Sequence, residues 1–225
     1  MSQNTADTQP NSYQENRMSP FDMFALKELL QSFNRDNLTC LEIGSWFGAG
    51  STQIIGNFCK ELVCVDHWQG NENDEHREIV KTIDVFNRFL HNTSHFGDKI
   101  KPIRGTSQDV CPLLEKNKYD FIFIDGDHRY EATVSDIRST ISLLKPGGIL
   151  AGHDCEGRVT FETQNLINRY KDQDHIDSIY PNFLHCHPGV IKAVDELIDV
   201  ANLYAEKPLT VDGQNGVSTI WWTKI

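Results

Sequence analysis

Long apolar runs are missing from this chain of 225 residues. No stretch approaches the roughly 18 apolar residues that a membrane-spanning helix needs. Positive charge is also scarce: 21 Lys and Arg stand against 32 Asp and Glu, a formal net charge of −11. Nucleic-acid binding relies on Lys and Arg neutralising phosphates, so this balance disfavours a DNA or RNA partner and an anionic membrane surface alike. The six cysteines (Cys40, Cys59, Cys64, Cys111, Cys155, Cys186) form no Cys-x-x-Cys pair. The N-terminus has no basic patch followed by an apolar block, so no signal peptide is expected. Reduced thiols in a cytoplasmic protein follow as the expectation. Two nucleotide signatures are absent as well. The sequence has no G-x-G-x-x-G after its first strand, and Gly50-Ser51-Thr52 lacks the lysine of a phosphate-binding P-loop.

What is present reads as one α/β domain. Apolar residues make up 39% of the chain and charged ones 24%, enough for a packed core. Met1 to Arg17 is polar and expected to be loosely ordered; residues 18–225 are expected to form a single domain. Short apolar runs predict strands at Leu38–Ile43, Leu62–Val65, Ile100–Arg104, Tyr119–Ile124 and Ile149–Ala151. Helical spacing between them predicts Ser51–Lys60, Asp74–His91, Val110–Lys116 and Glu131–Leu144. Lys145-Pro146-Gly147-Gly148 is expected to stop the last of these. Further on, a helix is expected within Gly157–Asp174 and another over Pro188–Tyr204. Pro208–Val211 and Val217–Thr223 are expected to close the fold as an antiparallel hairpin. Continuous apolar strands alternating with helices imply a parallel, doubly wound sheet buried on both faces. Ligands of such sheets sit beyond the carboxyl ends of the strands.

The first strand end carries Glu42-Ile43-Gly44-Ser45-Trp46-Phe47-Gly48-Ala49-Gly50-Ser51. Glycines there let the backbone approach a ligand. An acid just before the first glycine repels a pyrophosphate and attracts a cationic amino-acid end. That pattern suits S-adenosylmethionine, which carries an ammonium and a sulfonium and no phosphate. At the second strand end, Asp66 offers a carboxylate to ribose hydroxyls, as it would in an NAD site also. Trp68 beside it is either an aromatic face for adenine or a hydrophobic lid.

These motifs, with Asp125-Gly126-Asp127-His128-x-Tyr130-Glu131 and Leu144-Lys145-Pro146-Gly147-Gly148, resemble the class I methyltransferases. Within that class the chain is similar to small-molecule O-methyltransferases, including macrolide-sugar methyltransferases and cephalosporin-hydroxylase-like proteins. The resemblance covers Leu38 to Asp154 and resumes at Pro188-Gly189-Val190. It implies a Rossmann-like sheet of seven strands, mostly parallel with an antiparallel last strand. It also implies a cofactor set of Glu42, Gly44, Ser45, Gly48, Ser51, Asp66, Trp68, Ser107 and Asp125. Ser107, or Thr106 before it, also reads as a helix N-cap.

Asp125, Asp127 and His128 follow the fourth strand, and His153 and Asp154 follow the fifth. Neighbouring parallel strands bring these groups to one edge, where a divalent cation would offset the carboxylates. Oxygen-rich ligation favours Mg²⁺ or Mn²⁺ over Zn²⁺. The resemblance assigns Asp125 and Asp154 as metal ligands and His128 as the base; His153 stands where an acid or carbonyl ligand is usual and completes the expected set. Asp127 reads as a helix cap. His185-Cys186-His187 looks like a metal cluster on paper, and a loop histidine beside the acceptor pocket is the competing reading. Trp221-Trp222 is expected to pack a strand on both faces. The expected activity is metal-assisted methyl transfer to a hydroxyl of a small sugar-like or natural-product-like molecule, with residues 155–187 forming an acceptor-side insertion and the chain self-associating. The alternatives are a non-catalytic S-adenosylmethionine-binding or scaffold protein of the same fold and, more distantly, an NAD-linked oxidoreductase.

Overall fold

Every residue from Leu38 to Ile43 is buried, which is what a strand at the centre of a two-faced sheet requires. A computed structural model describes residues 14–33, 37–71 and 74–225 of the chain. In chain order its elements are α1 (Pro20–Gln31), β1 (Leu38–Ile43), α2 (Ser51–Phe58), β2 (Cys59–Asp66), α3 (Asp74–Thr82) and α4 (Val85–Thr93). Then come β3 (Ile100–Arg104), α5 (Ser107–Val110), β4 (Tyr119–Ile124), α6 (Tyr130–Ile141) and β5 (Leu144–Gly152). The last third holds α7 (Gln164–Tyr170), β6 (Ile176–Asp177), β7 (His185–Cys186), α8 (Pro188–Leu197), β8 (Asn202–Leu203), β9 (Leu209–Val211), β10 (Gln214–Gly216) and β11 (Trp221–Lys224).

The main sheet has seven strands in the order β3-β2-β1-β4-β5-β11-β8. The first five are parallel, and β11 runs antiparallel to both β5 and β8. This is the Rossmann-like sheet expected from the sequence. Alternate residues feed two cores, because strand side chains alternate between faces. Leu41, Ile43, Val63, Val65, Ile122 and Ile124 pack on the side of α6 and α8. Cys40, Leu62, Cys64, Phe121 and Phe123 pack on the side of α1, α2 and α4. Trp221 joins the first core and Trp222 packs against the second, as expected for a strand covered on both faces. All six cysteines are buried and unpaired. Among the described residues no helix is long and apolar enough to cross a membrane.

Several boundaries differ from the sequence expectation, each for a local reason. The helix over Ser51–Lys60 stops at Phe58, because Cys59 already pairs with Leu38. The single helix over Asp74–His91 is two helices; Asp84 sits between them, extended, and its carboxylate accepts from the Asn87 amide to cap α4. The short helix at Val110–Lys116 begins earlier, at Ser107, with Thr106 as its cap, and tightens into a 3₁₀ turn over Cys111–Leu113. α6 ends at Ile141, before Lys145-Pro146-Gly147-Gly148, which lies inside β5. That segment is stitched to the C-terminus: Gly147 N–H donates to Ile225 and Ile225 N–H to Gly148. The helix within Gly157–Asp174 is confined to Gln164–Tyr170, and α8 stops at Leu197, leaving Asn202 and Leu203 to pair with Trp222 and Trp221. The closing hairpin is corrected too. β9 pairs with β10 through Asp212-Gly213, both at positive φ, the conformation of a tight two-residue turn. Trp221–Lys224 instead joins the main sheet. Of the N-terminal stretch expected to be loosely ordered, residues 1–13 lie outside the described residues.

The cap at Asp84 yields a direct check. Asp84→Ala should lower the unfolding free energy by about 1 kcal/mol, read from the urea midpoint at unchanged slope.

Candidate active site

The chain runs outward from β1 to β2 and β3, then returns to place β4 on the other side of β1. The crevice above β1 and β4 is therefore the topological switch point, where doubly wound sheets take their ligands. A cavity of about 930 Å³ opens there. Backbone hydrogen bonds set its floor just past the strand ends: Gly44 N–H donates to Val65, Asp125 N–H to Ile43 and His153 N–H to Ile124.

Gly44 has φ +81°, and a Cβ on it would lie 2.1 Å from the Asp125 carbonyl oxygen, so only glycine fits this crossing. Gly48 also has positive φ, and its Cβ would meet the Phe89 ring at 2.7 Å; it serves the packing of α4 and does not line the cavity. Glu42 corrects the simplest expectation. It is fully buried and does not line the cavity. Its carboxylate accepts from the hydroxyls of Ser45 (2.6 Å), Ser51 (2.6 Å) and Thr52 (2.7 Å). Burial pushes its carboxyl up from the ordinary value, and the three hydroxyls pull the other way without cancelling this. Glu42 therefore ties the loop to the first turn of α2, from beneath any ligand.

Asp66 lines the cavity, and its carboxylate accepts from the backbone N–H groups of Ser45 (3.0 Å), Trp46 (2.8 Å) and Trp68 (2.5 Å). Trp68 is a second correction. Only 3% exposed, it packs on Phe86 and Phe89 and donates its indole N–H to the Trp46 carbonyl. Trp46 lines the cavity instead, stacked on His76 at 4.5 Å. Ser45, Ser51 and Ser107 line it as well. Ser107 donates its hydroxyl to Asp136 at 2.5 Å. Asp136 was not singled out by sequence. It is a buried acid on α6, and burial pushes its carboxyl up to about 7. Asp127 does not cap α6. Its carboxylate accepts from the Arg129 amide and pairs with the Arg129 guanidinium.

At the ends of β4 and β5, Asp125, His128, His153 and Asp154 converge. His128 Nε2 lies 3.0 Å from Asp154 Oδ2, and Nδ1 lies 2.9 Å from Asp174 Oδ1. Burial alone would lower its pKa, but Asp154 and then Asp174 outweigh this and hold it well above the usual histidine value. These two contacts hold the ring between Asp154 and Asp174. His153 is likewise raised against the effect of burial by Asp154, Asp125 and Asp22. Its Nδ1 lies 3.2 Å from Asp154 Oδ1 and 3.4 Å from Asp125 Oδ1. Asp154 has φ +61°, a costly conformation for a residue with a side chain, of the kind found at functional sites.

The histidine motif near the C-terminal side resolves as a strand. His185 in β7 and His187 just after it both line the cavity, while Cys186 between them is buried in the core, since i and i+2 share a face in extended chain. This removes Cys186 from any ligand set. His187 is fixed by the buried Glu156, which accepts from its Nδ1 (2.7 Å) and its backbone N–H (3.0 Å).

The sequence also gave no sign of the wall formed by the N-terminal segment. Glu15 and Arg17 line the cavity. Glu15 accepts from Arg88 and Asn92, and Arg17 pairs with Glu75. The sequence pattern there is polar and aperiodic, so only the tertiary partners reveal it. Among the described residues the lining contains no lysine, and its two arginines, Arg17 and Arg129, are each paired with a carboxylate.

Known proteins resemble the chain at two levels. A family model described as a methyltransferase domain matches residues 41–155. An uncharacterized protein of Acanthamoeba polyphaga mimivirus is 29% identical over 136 residues, a match spanning 57% of each chain. Among solved structures, an O-methyltransferase from Bacillus cereus in complex with SAH superposes with a TM-score of 0.54 at 19% identity, covering 94% of this chain and 84% of that one. A Corynebacterium glutamicum protein gives 0.54 at 16% identity, covering 92% and 82%. At such identities these two structures establish the fold.

Asp136 generates a prediction with a definite sign. An unfolded aspartate ionises near 3.8 and the folded one near 7, so the folded state binds more protons between those values and stability falls as pH rises through that window. Asp136→Asn should match the wild type at pH 4 and exceed its stability by about 2–4 kcal/mol at pH 8. Denaturant unfolding at the two pH values provides the check; equal stabilities at pH 8 would contradict it.

Proposed function

The chain belongs to the methyltransferase-domain family, and from that membership we propose that it transfers a methyl group from S-adenosylmethionine to a hydroxyl oxygen of a small polar molecule, assisted by a divalent cation. The carrying observation is that Asp125, His128, His153 and Asp154 stand around the same cavity that the Gly44 loop floors.

The cavity suits the cofactor chemically. Eight carboxylate residues line it, and both arginines are already paired; a sulfonium and an ammonium are favoured in that field, and a pyrophosphate is not. Asp66, at the end of β2, keeps lone pairs beyond those given to the loop amides, and these suit ribose hydroxyls. Ser107 and Asp136 also line the cavity and offer polar groups suited to the base. S-adenosylmethionine supplies an electrophilic methyl carbon, so the protein's work is to position the acceptor oxygen and take its proton.

The donor set also suits a hard dication. One donor atom from each of Asp125, His153 and Asp154 lies within 4.8 Å of the others. His128, Asp154 and His187 form a second such set, but it would consume the histidine needed for proton transfer. We therefore assign Asp125, His153 and Asp154, with Mg²⁺ or Mn²⁺ as the fitting ions. Such an ion lowers the pKa of a hydroxyl bound beside it.

The protein's own residues account for the proton. Asp154 cannot serve as a ligand and hold the His128 proton at full strength together. With Asp154 engaged elsewhere and any Nε2 proton released to solvent, Nε2 is the position at which His128 accepts the acceptor's proton. Asp174 retains the proton on Nδ1 and keeps the ring fixed. General-base action of this kind is worth about 100- to 10,000-fold in rate. The acceptor side, lined by His175, His185 and His187, favours a hydroxylated molecule over a flat apolar one.

Titration calorimetry of the full chain is the test. S-adenosylmethionine should bind and NAD should not, with Asp66→Ala weakening the former at least tenfold. Binding of NAD in preference would overturn the reading.

A further inference from the structure

Asp22 lies outside the motifs that form the site. It comes from the first turn of α1, is 4% exposed, and still reaches the edge formed by β4 and β5. Its Oδ2 lies 3.3 Å from His153 Nε2. The opposite ring nitrogen, Nδ1, faces Asp154 Oδ1 and Asp125 Oδ1. A carboxylate only accepts hydrogen bonds, and a neutral imidazole carries one N–H and one lone pair. Asp22 lies beside Nε2 without a formed hydrogen bond, so its charge favours the form with the N–H on Nε2 once the Nδ1 lone pair is given to a cation. Between two carboxylate oxygens, that lone pair is repelled unless a cation stands among the three. Outer partners of this kind orient histidine ligands and fix their tautomer.

The same carboxylate steadies the second ligand. Asp22 Oδ1 accepts from the Thr219 backbone N–H at 2.8 Å. Thr219 Oγ1 in turn accepts from the Asp154 backbone N–H at 3.2 Å. Asp154 is the residue held at φ +61°. One acid on α1 thus supports both residues that follow β5.

We propose that Asp22 is a positioning residue for a divalent-cation centre, fixing His153 so that Nδ1 is a ligand and steadying Asp154 through Thr219. This rests on the metal-assisted reading of the site. It also gives His153 a defined role where an acid ligand is usual in the class the chain resembles. Asp22 does not line the cavity.

Asp22→Asn probes the arrangement because the amide puts a donor among groups that now meet only acceptor oxygens. With its N–H₂ toward His153, the ring turns its lone pair to the amide and its N–H toward Asp125 and Asp154, and the ligand is lost. Mn²⁺ binding to the cofactor-free full chain, followed by electron paramagnetic resonance, should weaken about 10- to 100-fold in Asp22→Asn. His153→Ala should weaken it comparably, and the double variant no further than His153→Ala alone. Wild-type affinity in a folded Asp22→Asn protein would overturn the proposal while leaving the metal reading intact. No Mn²⁺ binding by the wild type would overturn both. Should Asp22→Asn fail to fold, nitrogen-15 spectra of His153 in the Mg²⁺-loaded wild type decide: the Nε2–H form is expected, and the Nδ1–H form or a retained imidazolium contradicts the proposal.

Discussion

Two imidazole rings stand between four carboxylates at the ends of β4 and β5, and this charge arrangement constrains everything around it. His128 bridges Asp154 and Asp174, and His153 lies among Asp22, Asp125 and Asp154. The carboxylates outnumber the rings, in a place where burial makes an unpaired charge costly. A divalent cation has the charge and the ligand preference to fill that deficit. The same arrangement explains why the carboxylates hold both rings above the usual histidine value. It also explains the reach of the network. Asp22 is drawn in from α1 and Asp174 from the turn after α7, so segments distant in sequence are bound to one edge of the sheet.

A second buried carboxylate plays the matching part beneath the glycine loop. Among the described residues Glu42 forms no ion pair, and it survives burial through three hydroxyl donors. Breaking such a set leaves a buried acceptor unsatisfied, at about 1–3 kcal/mol for each lost bond or more for a charged group. The loop is thereby preformed around Gly44, and Asp66 holds its outer turn through the Ser45 and Trp46 amides. A ligand enters a cradle whose backbone is already set, which lowers the ordering cost of binding.

Much of this was legible in the sequence wherever the signal was local. The strands Leu38–Ile43, Ile100–Arg104 and Tyr119–Ile124 follow from short apolar runs, and their parallel pairing follows from the helices between them. Because the sites of such sheets lie past strand ends, Gly44, Asp66, Asp125, His128, His153 and Asp154 stood out before any coordinates. The misses share a cause: they depend on partners far away in sequence. Trp68 and Glu42 lie where the pattern suggests ligand contact, yet both are claimed by the interior, one by Phe86 and Phe89 and the other by three hydroxyls. Asp22, Asp136 and Asp174 each sit in or beside helices of ordinary polarity, and only the fold turns them inward. The expected C-terminal hairpin does not form because Trp221–Lys224 finds β5, 69 residues away at its nearest pair, Trp221↔Gly152, in preference to its neighbour.

A crystal structure with S-adenosylhomocysteine and Mn²⁺, collected for anomalous scattering of the metal, tests the central arrangement most directly. One anomalous peak should lie within about 2.0–2.4 Å of donor atoms from Asp125, His153 and Asp154, with the nucleoside across the Gly44–Gly50 loop and His128 outside the coordination shell. A peak held by His128 and His187 instead, or no peak at that edge, would contradict it.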